Sequence, residues 1–223
     1  MAIYDGLERY AGFDDHGVTS DEKGANPMLP IGPQERRFAL QVARKALHEF
    51  LYSGVVSEYL TSSPCLLQHR GIFVTLRLRE SGELRGCRGE CRPIRPLIES
   101  VIRQTISSAT DDSRFPCVTE DELPSLTIRI SALTPLKRIR PDEIVLGRHG
   151  LLIIQGRRSG LLLPEVPKRF GLRTPAEFLE ALHCKAGITT KRSEEKDLEL
   201  HAFETEAWDD EDVIPMLKSR PEC

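Results

Sequence analysis

Residues 72–91, IFVTLRLRESGELRGCRGEC, decide the fold class. The first seven, Ile72 to Leu78, form an apolar run rich in β-branched and aromatic side chains and read as a strand. Glu80-Ser81-Gly82-Glu83 is a turn, and Leu84 begins a return strand. Two strands joined this tightly must pair antiparallel.

Helical patterns lie on both sides of this hairpin. Upstream, Ala39, Val42, Ala43, Ala46, Leu47 and Phe50 recur at three- and four-residue spacing behind Pro33, which suits a first helical turn. Downstream, Leu97, Ile98, Val101, Ile102, Thr105, Ile106 and Ala109 form a second stripe. Leu126 to Leu133 alternates as a strand, with Thr127, Arg129 and Ser131 on its other face. Strands around Gln155 to Ser159 read as a hairpin with a basic tip, and Thr174-Pro175-Ala176-Glu177 is a capping-box helix start. A last strand spans about Leu198 to Phe203. Helices interleaved with hairpins predict an α+β fold with a largely antiparallel sheet. If that sheet is shared, strands 72–78 and 151–154 belong to one core. Residues 1–30 lack a sustained period and read as a tail. Residues 31–208 read as one domain, and 209–223 as an acidic, mobile end.

The whole chain has 223 residues, 39% hydrophobic and 29% charged, enough for a core without disulfides or metal. No apolar run approaches a membrane span. The first residues carry acids where a signal peptide needs an apolar stretch, so a cytoplasmic setting with free thiols is expected. A net charge of −3 speaks against nucleic acid as the main partner. The six cysteines lack the paired spacing of a structural zinc site, and no metal or cofactor is expected. Walker, dinucleotide-binding, zinc-protease and serine-hydrolase motifs are absent.

Residues 85–95 carry the most chemistry. Cys87 has Gly86 and Gly89 close by, which would leave its thiol accessible. Arg85, Arg88, Arg92 and Arg95 would stabilise a thiolate, and Arg85 and Arg88 could hold an anion. Against this stands Cys87 as a small buried residue at a strand end, the weightier reading on residue types alone. His149 is a candidate base for the thiol, or a turn residue. Asp111-Asp112 could act as acid and base or hold a metal, or simply order a loop.

Leu84-Arg85-Gly86-Cys87-Arg88-Gly89, Ser108-Ala109-x-x-Asp112-Ser113-Arg114-Phe115-Pro116 and His149-Gly150-Leu151 follow one another along the chain. Ser159-Gly160-Leu161-Leu162-Leu163-Pro164-Glu165-Val166 and Cys184-Lys185-Ala186-Gly187 come after them. Together these blocks resemble the AMMECR-type domain family over roughly residues 33–208. The resemblance implies an α+β fold with a bent, mostly antiparallel sheet, flanking helices and a smaller subdomain. Prokaryotic members are the A component of the AmmeMemoRadiSam system, which implies a Memo-like protein and a radical S-adenosylmethionine protein as partners. From the residue chemistry above, Cys87 and His149 are the candidate catalytic pair, and Arg85, Arg88, Asp112 and Arg114 the candidate group for an anionic small-molecule or protein substrate. The activity implied is a thiol-dependent role in a redox or radical modification pathway; the alternative is a non-catalytic partner subunit or adaptor with the motif loop as its interface. The chain departs from the family at Arg88, where an aliphatic residue is usual, and at Cys91 and Cys117. It also lacks a tryptophan after Lys185-Ala186-Gly187. These changes make the site more basic and richer in thiols.

Overall fold

The computed structural model describes residues 28–91, 93–188 and 198–210, with Gly12–Phe13 as a two-residue strand, β1. Of the expected tail, residues 1–11 and 14–27 lie outside the described residues. Helix α1 spans Pro33–Ser53 and α2 Pro64–Leu67. Strands β2 (Ile72–Leu78) and β3 (Leu84–Glu90) follow, then α3 (Leu97–Thr110) and β4 (Leu126–Leu133). Next come β5 (Lys137–Arg138), β6 (Gly150–Gln155), β7 (Arg158–Leu162), α4 (Val166–Phe170) and α5 (Pro175–Ala186). Strands β8 (Leu198–Phe203) and β9 (Thr205–Asp209) complete the described elements. The fold is α+β. Among the described residues no helix is long and apolar enough to cross a membrane.

The chain divides into two compact units. The first combines residues 28–132 with 206–210, and the second holds 133–188 and 198–205. Strands 72–78 and 150–155 therefore fall in separate sheets, a correction to the shared-sheet expectation. Each hairpin closes on its own local partner, so the family-like bent sheet is here two antiparallel sheets.

In the first unit the strands run in the order β3-β2-β4-β9. Register places Val74 opposite Arg88 on one side and Ile130 on the other. Strand alternation puts Ile72, Val74 and Leu76 with Leu126, Ile128, Ile130 and Ala132 on one face, and these pack with Leu40, Leu47, Leu97 and Val101 of α1 and α3 into the core. Each such side chain, fully buried, contributes roughly 1.5–3 kcal/mol. Helix α1 starts with Pro33 and stops at Gly54, whose φ of 71° closes the last turn with an N–H bond to Phe50 O.

The end of the chain is not loose where the acidic tail was expected to begin. Trp208 is buried and donates its Nε1–H to Arg36 O at 3.1 Å. Asp209 accepts from Arg129, while Asp210 pairs with Arg44 and takes the Ile128 N–H at 2.9 Å. Glu206 accepts from buried Arg70 at 2.7 Å and from the Ile31 N–H at 3.1 Å. Residues 211–223 lie outside the described part.

In the second unit the order is β5-β8-β6-β7. The hairpin turn is tighter than its sequence implies: Gln155 pairs Arg158, and only Gly156-Arg157 separate them. Gly156 has a φ of 58°, as such two-residue turns require. Helix α5 begins with Thr174 Oγ1 accepting the Glu177 N–H at 3.2 Å, the capping box read from sequence.

Candidate functional site

The motif strand β3 and helix α3 meet so closely that glycine is required between them. A Cβ on Gly86 would sit 2.0 Å from the carbonyl oxygen of Ser108. Ser108 itself wedges its hydroxyl between β2 and β3. Its Oγ accepts the Arg88 N–H at 2.9 Å and lies 2.8 Å from Val74 O and 2.7 Å from Gln104 O. A single hydroxyl hydrogen serves one of those carbonyls at a time. The helix is thereby hydrogen-bonded into the Val74–Arg88 pair of the sheet.

Asp112, just beyond α3, completes the attachment. Its Oδ2 accepts the Cys87 backbone N–H at 2.8 Å, and Arg114 Nε reaches Oδ1 at 2.7 Å. Arg114 Nη2 bonds Oδ2 as well, making the pair bidentate. Burial pushes the Asp112 carboxyl up, but the Arg114 guanidinium and the Cys87 N–H outweigh it and hold its pKa below the usual value. Asp112 is a carboxylate at neutral pH, committed to holding β3. Arg114 is equally committed, stacked over Phe115 at 5.3 Å, with Nη1 buried and unpartnered.

Arg85, the candidate anion holder of the sequence, is bonded to the loop that follows α3. It clamps Glu122 through Nε at 2.7 Å and Nη2 at 3.0 Å, and donates to Pro116 O and Cys117 O. That ion pair is the main reason the Glu122 carboxyl titrates below its ordinary value. Arg85 thus fixes the loop that follows Asp112 and Arg114.

Cys87 has 0% of its surface exposed. Its Sγ lies 3.4 Å from Thr75 Oγ1, its cross-strand neighbour. The expectation that nearby glycines open a path to the sulfur is corrected by what occupies the space beside them. Ser108 fills the side of Gly86, and a Cβ on Gly89 would lie 2.3 Å from the Phe73 ring. The glycines admit neighbours, not solvent. His149 belongs to the second unit, where its Nδ1 accepts the Val145 N–H at 3.2 Å in a turn. The structure thus brings Cys87, Arg88, Asp112 and Arg114 together around one strand and gives His149 a local structural bond. Sequence reasoning missed Thr75, whose signal was its place in the alternation of β2, opposite Cys87.

The loop after β3 differs in character. Ile94 is 62% exposed, and Leu67 and Leu29 are also exposed. All three flank one short segment: Leu29 N–H bonds Gln68 Oε1, Leu97 N–H bonds Gln68 O, and His69 Nδ1 lies 3.2 Å from Pro93 O.

A family model described as AMMECR1 matches residues 40–208. The chain belongs to the AMMECR1 family. An AMMECR1 relative, protein MK0488 of Methanopyrus kandleri, is 38% identical over 195 residues, covering 84% of this chain and 94% of the relative. A Methanocaldococcus jannaschii protein, MJ0810, is 35% identical over 185 residues, 79% of this chain and 90% of its own. The crystal structure of the uncharacterized protein PH0010 from Pyrococcus horikoshii is similar with a TM-score of 0.72 at 37% identity, covering 78% of this chain and 91% of that one. In this AMMECR1 chain the first two of the five blocks, residues 84–89 and 108–116, form one packed assembly of strand, serine wedge and carboxylate clamp around β3, and the other three belong to the second unit.

Proposed function

We propose that this AMMECR1 protein is a non-catalytic partner subunit that docks through the loop following the motif strand. The observation that carries the proposal is the complete burial of Cys87. A reactive thiol must be both charged and accessible. The groups around Cys87 that would activate it are spent on structure instead, Asp112 on Arg114 and the Cys87 N–H, Arg85 on Glu122. The exposed apolar side chains of Leu29, Leu67 and Ile94 stand around residues 68–69 and 93–96, next to β3. Apolar side chains grouped on a surface are what a protein interface uses. The partners proposed, by family likeness, are the Memo-like protein and the radical S-adenosylmethionine protein of the same cell, with this chain a component of their redox or radical modification pathway.

The experiment is direct binding of each purified partner to the full chain by calorimetry. Ile94→Glu should abolish binding while leaving the melting temperature unchanged, and Cys87→Ala should bind as wild type does. Binding untouched by Ile94→Glu, or a turnover that Cys87→Ala removes, would restore the thiol-dependent enzyme as the better account.

A further inference from the structure

The contacts of the chain's end advance along helix α1 in one direction. Glu206 accepts the Ile31 N–H just before the helix, Trp208 donates to Arg36 O in the first turn, and Asp210 pairs with Arg44 two turns on. Strand β9 runs antiparallel to β4, since Glu204 O accepts the Thr134 N–H while Asp210 takes that of Ile128. At Asp210 the chain therefore points toward the C-terminal end of α1.

That end carries an exposed apolar surface. Tyr52 and Val55 are 74% and 68% exposed, each more than Leu29, Leu67 or Ile94 at the docking loop. Their positions are fixed. The Tyr52 ring stacks on His48, with centroids 6.3 Å apart and planes 6° from parallel. Ser53 Oγ accepts the Val55 N–H at 3.4 Å. Glu49 takes the Ser57 N–H and the Tyr59 hydroxyl, both at 2.9 Å, which draws residues 55–59 back against the helix. A surface ordered in advance takes its cover at a smaller entropic cost.

We propose that residues 213–217 of the same chain cover Tyr52 and Val55. Beyond Asp210 the sequence reads EDVIPMLKSRPEC, and Val213, Ile214, Met216 and Leu217 are its large apolar side chains. Pro215 biases Ile214 toward extended backbone. Tyr52 lies eight residues beyond Arg44 on α1, about 12 Å at the helical rise. Four residues of extended chain from Asp210 span about 13 Å. Ile214 thus reaches Tyr52, and Met216 and Leu217 reach Val55 past the helix end. Lys218 and Arg220 come next, opposite in charge to exposed Glu58 on the connection after Val55. This cover is distinct from the docking loop, so it holds or fails independently of the partner-subunit reading.

NMR of the full chain tests the cover. The Tyr52 ring protons should show nuclear Overhauser effects to the Ile214 methyls. Amides of residues 213–217 should exchange roughly tenfold or more slowly than those of an unstructured peptide. Tyr52→Asp should return these amides to peptide rates. Ile214→Asp should shift the Tyr52 and Val55 resonances and leave the Trp208 indole in place, which separates release of the cover from loss of the fold. Peptide-like exchange of residues 213–217 in the wild-type chain, or exchange unchanged by Tyr52→Asp, overturns the proposal. So does an Overhauser effect found only between labelled and unlabelled copies in a mixed sample, which makes a second copy the occupant.

Discussion

At the scale of single residues, the motif around Cys87 is explained by close packing. Gly86 has its Cβ position filled by a backbone carbonyl, which has no rotamer to move away on. Gly86→Ala is therefore expected to destabilise the protein at the upper end of the overpacking range, about 3 kcal/mol. For a chain of this size that is a melting temperature lower by roughly 6–12 °C. Differential scanning fluorimetry checks it, and an unchanged melting temperature would mean that helix α3 does not press on β3 as described. The residue types at this site were legible in the sequence, but their partners were not. Arg85 and Asp112 carry the charge expected of a binding site, and only the fold reveals that Glu122 and Arg114 already neutralise it. Glycines beside a cysteine fit access and tight packing equally well, and the choice rests on Ser108 and Phe73, distant in sequence.

At the scale of elements, the long periodic segments were readable because their own side chains decide them. Helix α1 ends at Gly54 and α5 at Gly187, as the breakers imply. Strand β9 was not readable. Thr205–Asp209 is short, with acids at two of its five positions, and it is ordered by partners such as Arg70, Arg36 and Arg129 that lie far back in the chain. Elements of the second unit carry a pH dependence of their own. His183 on α5 and His201 on β8 are buried, each with Nδ1 unpartnered. Burial lowers the pKa of His183; for His201 burial and Arg138 lower it and outweigh Glu199, which opposes them. The folded state thus disfavours the proton that an unfolded chain accepts near pH 6.5. This contribution to stability is complete above that value and is lost as pH falls below it. The melting temperature should decline between pH 7.5 and 5.5, and NMR titration should place both imidazole midpoints below 6.5. Midpoints at or above 6.5 would show that the two rings are not held neutral by burial.

At the scale of the whole molecule, the chain leaves the first unit at Ala132 and returns to it at Glu206. Glu206, Trp208 and Asp210 then bond Ile31, Arg36, Arg44, Arg70 and Ile128. Unfolding only the second unit would leave an interior loop of about 70 residues, at an entropic cost of about 4 kcal/mol to the first. Unfolding should therefore be one cooperative transition by calorimetry, consistent with residues 31–208 acting as one domain. Two well-separated transitions would make the units independent.

The central claim, that the cysteine of the family motif is a structural residue of a partner subunit, is tested most directly by alkylation. Iodoacetamide modification of the native chain at pH 6.5, read by peptide mass spectrometry, should find Cys87 slower than exposed Cys117 and Cys184. In urea the three should react alike. If Cys87 is instead the fastest thiol of the native protein, its sulfur is accessible and activated, and the adaptor account is contradicted.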